Sequence, residues 1–342
     1  MKFITLAAAG ELPGRIFLAY AADQGDKTFD DFLQEHKLSP HSISMIKHAI
    51  ALLDNKGASC VDTETSATNA KDALERTQLH LSSLGRYCKT GFLAGIYGGG
   101  SELAQGFCRL CGVHGGTYRL DYGVSSLEVP ENDGDIIVNG VDGSKYACKW
   151  LVASTDFGNL SPGTLFETYD AHLRESDSNR ETVRRAIVIR DSPIQGPGVN
   201  LFVIPPGKIG ESGIYGIQMN SDTQSCPEGQ CNRCFTSYSQ TDVLYLFGNV
   251  TQDEMNQAIQ KMCSNPDGET DYRACFTYEQ KIRNPITAND RILWCSGPDA
   301  AVDTESIVDQ VKSHFAKICP EGAFLSEKTP DPSEPVDHSP TD

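Results

Sequence analysis

The sequence predicts a mixed α/β protein in which a helical portion precedes a sheet-rich one. Three observations carry that expectation. Residues before about 95 hold apolar stripes at helical spacing. From Gly115 the pattern turns to short strands broken by glycine and asparagine. Near the end come a strand, a glycine turn and a helix, which is how a doubly wound nucleotide-type fold closes. The expected divisions are a helical domain over residues 1–95, a mixed sheet and helix domain over 96–325, and a disordered acidic tail over 326–342.

The first residues, Met1 to Gly10, carry one basic residue and a short apolar run, as a leader would. A second apolar stretch, Ile16 to Ala22, follows without a polar start, which argues against a leader. Ser39 is a helix cap with Pro40 in the first turn, a position where the missing N–H costs nothing. Ile43, Ile46, Ile50 and Leu53 then form an inward stripe. A second amphipathic helix runs from about Ala70 to Leu84, with Ala70, Leu74, Leu81 and Leu84 inward and Gly85 as its stop.

In the second half, Asp135–Val138 and Tyr146–Ala153 flank Asn139-Gly140-Val141-Asp142-Gly143, a strong hairpin signal. Arg185–Ile189, Leu201–Ile204, Ile214–Met219 and Val243–Phe247 read as further strands. Glu254 to Cys263 reads as a helix, apolar at Met255, Ile259 and Met262. Arg291 to Cys295 is a buried strand, and Glu305 to Phe315 the closing helix, with Ile307, Val308, Val311 and Phe315 inward. Beyond Lys328 the chain holds four prolines and four acidic residues, a composition that cannot build a core.

The formal charge is −17 over 342 residues. Nucleic-acid recognition needs a basic surface, so that class is disfavoured, as is direct docking on anionic lipid. Twelve cysteines are spread too widely for a small disulfide scaffold. Cys226, Cys231 and Cys234 have spacing that suits part of a zinc site, but no second pair follows at zinc-ribbon spacing, so a loop insertion without metal is the expectation. His114 has no carboxylate nearby in sequence, and no catalytic constellation is evident. Neither a metal nor a cofactor is expected.

The most informative stretch runs from Ile96 to Leu120. Ser101 is a good N-cap after Gly98-Gly99-Gly100, and Gly112 with Gly115-Gly116 supplies a stop. At helical spacing Leu103, Phe107, Leu110 and Cys111 fall on one face, which is expected to be core. Glu102, Gln105 and Arg109 fall together on the opposite, exposed face. The following Thr-Tyr-Arg-Leu-Asp-Tyr alternates like a strand, with Thr117, Arg119 and Asp121 on one side. Helix stripe and strand face together are expected to form a polar platform.

The residues Tyr97, Gly98, Gly100, Glu102, Leu103, Gln105, Gly106, Phe107 and Arg109, followed by Gly115, Gly116 and Tyr118, resemble a pattern of the Rab escort proteins and Rab GDP-dissociation inhibitors. The chain departs from it by one extra residue between Tyr97 and Glu102 and by Ala104 in place of proline. Ser39 to Ile50, Leu84-Gly85-Arg86-Tyr87, Val203-Ile204-Pro205-Pro206 and Cys295-Ser296-Gly297-Pro298-Asp299 are similar to escort-protein landmarks and stand in the same order. The resemblance implies a GDP-dissociation-inhibitor-like fold, related to the doubly wound FAD/NAD-binding fold and carrying a helical second domain. It also implies an N-terminally truncated member, because no G-x-G-x-x-G follows an early strand.

Several functional expectations follow from that resemblance. Glu102, Gln105, Arg109, Thr117 and Arg119 would grip a GDP-bound Rab GTPase. Arg86 would lie near the docking surface for the transferase or a membrane receptor. The helical domain would hold a geranylgeranyl lipid. The implied partners are Rab GTPases and the α/β heterodimer of Rab geranylgeranyltransferase, and the implied location is the cytoplasm with transient visits to membranes. The implied role is that of a non-catalytic escort, with a dissociation inhibitor as the first alternative. A flavin-dependent amine-oxidase-like enzyme is the second, and it requires a dinucleotide-binding start.

Overall fold

The computed structural model describes residues 27–53, 70–84, 100–130, 134–155, 182–190, 193–196, 199–226, 242–264, 267–268, 270–282, 290–302 and 304–325. The readings for the first 26 residues, for Arg86, for Cys231 and Cys234, and for the tail lie outside them.

The first helices form where local chemistry starts them. Thr28 caps α1 (Phe29–Glu35) by accepting from the Asp31 amide, and Asp30 and Asp31 favour the positive end of the helix dipole. Ser39 caps α2 (Pro40–Met45) in the same way through the Ser42 amide, with proline in the first turn as expected. The chain continues into a wider turn over Ile46–Ile50. Helix α3 (Ala70–Ser83) lays Ala70, Ala73 and Leu74 against Phe29, Phe32, Leu33 and Ile46. Leu81 is only half-buried and Leu84 is exposed, so the inward stripe of α3 ends sooner than its periodicity suggests.

A three-stranded antiparallel sheet joins β1 (Val124–Glu128), β2 (Ile136–Gly140) and β3 (Lys145–Cys148). The expected hairpin is present. Gly143, at φ +81°, makes the turn between β2 and β3. The predicted long second arm is two strands, because β4 (Leu151–Ser154) leaves that sheet to pair in parallel with β10 (Ile292–Cys295). Leu127, Ile136, Ile292 and Trp294 bury the contact between the two small sheets.

The largest sheet is antiparallel throughout, in the order β6-β7-β8-β5-β9. Its strands are β5 (Thr182–Arg190), β6 (Asn200–Ile204), β7 (Ile214–Met219), β8 (Asp242–Gly248) and β9 (Ala274–Lys281). One face presents Ala186, Val188, Leu244 and Leu246 to α5 (Gln252–Met262), which returns Met255, Ala258 and Ile259. The other face packs Val183, Tyr215 and Phe247 against Leu52 from the helical part and Ala300 from the turn after β10. Both faces of the sheet are therefore used.

That turn leads into α6 (Glu305–Ile318), which buries no residue fully. Ile307, Val308 and Val311, expected inward, keep more than a third of their surface open. The turn is held by polar bonds instead. Asp299 accepts from the Ala301 amide at 2.8 Å and from the Ser306 hydroxyl at 2.9 Å. Arg185 donates to the Asp299 carbonyl at 2.7 Å.

Candidate functional site

Helix α4 (Gly100–Val113) carries the acid, amide and guanidinium stripe. Its end is built by the glycines that the sequence marks as a stop. Gly115 takes φ +87°. Its amide donates to the Gly112 carbonyl at 3.0 Å, and the Gly116 amide donates to the Cys111 carbonyl at 2.9 Å. This is the paired closure of a left-handed C-cap. A Cβ on Gly116 would collide with Cys111 Sγ, so glycine is required there for the close approach.

Glu102, Gln105 and Arg109 are exposed, as expected. The opposite face is exposed as well. Leu103 is 66%, Phe107 57% and Leu110 50% open, and α4 buries no side chain. The expectation of a core-facing stripe is corrected: the periodicity identifies the apolar face, but no described element covers it. Cys111, read as core filler, is likewise exposed.

Residues 117–122 are not a strand. Asp121 turns the chain at φ +52°, and the first strand begins at Val124. Arg119 is drawn to the hairpin tip rather than toward α4. It donates to the Tyr146 hydroxyl at 2.6 Å and pairs with the Asp142 carboxylate, and its guanidinium lies 4.6 Å from the centre of the Tyr122 ring. Tyr122 and Ser144 share a hydrogen bond of 3.0 Å, and the Val141 amide donates to the Gly123 carbonyl at 2.9 Å. The bond to Tyr146, with the Asp142 charge beside it, holds the Arg119 pKa above its ordinary value. Hydrogen bonds from Ser144, aided by Arg119, hold the Asp142 carboxyl below its own. Thr117 is exposed between the helix cap and this cluster. Of the five predicted residues, three share the helix stripe, and Arg119 belongs to the hairpin.

The remaining chemistry is quiet. A thiol and an imidazole do meet, Cys295 Sγ and His314 Nδ1 at 3.8 Å. Burial pushes the thiol up and the imidazole down, the reverse of an activated thiolate–imidazolium pair. Among the described residues no group of three or more metal-ligating side chains comes together, and no helix is long and apolar enough to cross a membrane. A polar cleft of about 640 Å³ contains Arg184, but Arg184 is already bound to Glu279 at 2.6 Å and to Gln252 at 3.3 Å.

A family model described as GDI, GDP dissociation inhibitor, matches residues 20–228, a span that includes α4, its glycine cap and the Arg119 cluster. The chain belongs to the GDP dissociation inhibitor family. It is 28% identical over 370 residues to the rat protein named Rab proteins geranylgeranyltransferase component A 1, covering 98% of this chain and 49% of that protein. The human protein of the same name is 27% identical over 360 residues, with the same coverage. The yeast Rab GDP-dissociation inhibitor is 23% identical over 310 residues, covering 90% of this chain and 61% of that protein. The chain spans about half the length of the component A relatives it matches. Among solved structures, Rab GDI from Plasmodium falciparum superposes with a TM-score of 0.63 at 16% identity, covering 89% of this chain and 62% of that one. This places the chain in the same fold, and the mixed α/β class read from the sequence stands.

Proposed function

We propose that this chain acts as a Rab escort protein. It binds GDP-bound Rab GTPases through Glu102, Gln105 and Arg109, with Thr117 and, from the hairpin tip, Arg119 as further contacts. It presents them to the Rab geranylgeranyltransferase heterodimer for prenylation of their C-terminal cysteines, with Arg86 near the docking surface. It then carries the lipid-bearing Rab through the cytoplasm to membranes. The observation that carries this reading is the similarity to geranylgeranyltransferase component A along 98% of the chain. The exposed polar stripe of α4 supports it.

The reading gives the chain no chemistry of its own. Added to a geranylgeranyltransferase and a GDP-loaded Rab, the chain should raise incorporation of labelled geranylgeranyl into the Rab. Without the transferase it should give none. Arg109→Glu should weaken Rab binding while leaving thermal stability within about 0.5 kcal/mol, as exposed substitutions do. Absence of both Rab binding and stimulation overturns the reading, and prenyl transfer by the chain alone overturns it in favour of an enzyme. Flavin absorbance in the purified protein would point to an amine-oxidase-like enzyme.

A second reading, a dissociation inhibitor that recycles prenylated Rabs, is favoured by the similarity to yeast Rab GDP-dissociation inhibitor over 90% of the chain. Extraction of prenylated Rab from membranes without binding to the transferase would select it.

A further inference from the structure

The described cysteines differ in exposure: Cys108, Cys111 and Cys319 are exposed, and the other five are buried or half-buried. Cys148, Cys263, Cys275 and Cys295 are buried or half-buried, and burial raises each thiol pKa, that of Cys263 to about 11. Such thiols react slowly because the thiolate is the reactive form. Cys108 and Cys111 are exposed, free, and three residues apart on α4, so they stand one above the other on the same side of the helix. The Tyr118 hydroxyl lies beside both thiols, and their proximity raises its pKa. Tyr118 is brought back over the last turn by the Gly115-Gly116 cap.

We propose that Cys108 and Cys111 are a reversible redox pair that closes to a disulfide within α4. Positions three apart in an α-helix have Cα atoms about 5 Å apart, inside the window a disulfide accepts. Their Cβ atoms are about 5–6 Å apart, somewhat beyond the usual 3.5–4.5 Å. Closure therefore draws the last turn inward. That turn contains Gly112 and ends on Gly115 and Gly116, so it has few side chains to obstruct the movement. A disulfide that is exposed and under strain is easily reduced, which is the behaviour of a regulatory bond rather than a structural one.

The oxidant is a low-molecular-weight disulfide such as oxidised glutathione. One protein thiolate attacks it and expels a glutathione thiolate, leaving a mixed disulfide. The second protein thiol loses its proton and attacks the protein sulfur of that bond, and the second glutathione leaves. Two protein thiols lose two electrons, and one glutathione disulfide is reduced to two glutathiones. The chemistry does not depend on what α4 binds. Its consequence falls on α4, because Arg109 lies between the two cysteines and a change in the last turn moves that side chain.

Trypsin supplies a clean test because it cuts after Arg109, between the pair. The full chain is equilibrated with reduced and oxidised glutathione, blocked with N-ethylmaleimide and digested. Peptides 90–109 and 110–119 should be recovered joined by a disulfide, and dithiothreitol should release them. Recovery of the two peptides separately, each carrying glutathione or N-ethylmaleimide, overturns the proposal, as does a bond from either cysteine to a third one.

Discussion

Helices α4 and α5 are both amphipathic, and they meet opposite fates. Helix α5 begins with a capping box, Thr251 with Glu254, and seats Met255, Ala258 and Ile259 on the apolar face of the large sheet. Helix α4 has an apolar stripe of similar character and buries none of it. The difference lies in the neighbour. Strands β5 and β8 are in register, with Ala186 opposite Leu246 and Val188 opposite Leu244, so the sheet offers a continuous apolar surface where α5 lands. No described strand offers one to α4. Amphipathic period tells which side of a helix is suited to burial; whether burial occurs depends on a partner distant in sequence.

The largest expected effect comes from the filled side of that contrast. Leu246→Ala removes a nearly fully buried side chain from beneath α5 and should cost about 2–5 kcal/mol, read from the midpoint of urea unfolding. Next is the cap that sets α5 on the sheet. Thr251→Ala should cost about 1 kcal/mol, because the Glu254 amide loses the hydroxyl that satisfies it. A cost near zero would mean that packing alone holds the helix. Phe107→Ala should change stability by no more than about 0.5 kcal/mol. A loss as large as that of Leu246→Ala would show that the α4 stripe is covered in solution.

The smallest effect belongs to the hairpin tip. Asp142 has its pKa held below the unfolded value, so its contribution is present above the ordinary carboxylate pKa of about 3.9 and is lost as pH falls through the folded value. The stability gap between the parent and Asp142→Asn should therefore narrow on going from neutral pH to about pH 3. A gap independent of pH would remove Asp142 from the account of why residues 117–122 leave the extended conformation.

Much of this architecture is legible in the sequence where the signal is local. Strand β7 is read to the residue, from Ile214 to Met219, and the Ser39-Pro40 helix start and the Asn139-to-Gly143 turn are chemical signals that need no distant partner. Strand β9 is not read at all, because as an edge strand it presents Phe276, Thr277, Tyr278 and Glu279 to solvent and its alternation carries no inside and outside. Residues 117–122 mislead for the opposite reason. Their alternation is real, but Arg119 finds Asp142 and Tyr146, which lie on the β2–β3 hairpin. At the candidate site, the exposure of Glu102, Gln105 and Arg109 is legible. The exposure of Phe107 behind them is not, because burial is decided by segments far away in the chain.

The parallel pair of β4 and β10 bears on how the chain reaches this fold. Leu151 pairs with Ile292, and every strand of the large sheet lies between them in sequence. Two distant segments meet in an unstructured chain only by closing a very long loop, and contacts of this kind slow folding. If the large sheet folds first, the intervening chain becomes a compact body whose ends emerge near each other, and most of that closure is already accomplished. The order of events is then fixed by topology, with the central sheet acquiring amide protection early and β4 and β10 acquiring theirs together, late. A substitution that slows the first step should delay the second by the same factor, although no residue of the large sheet needs to touch either strand.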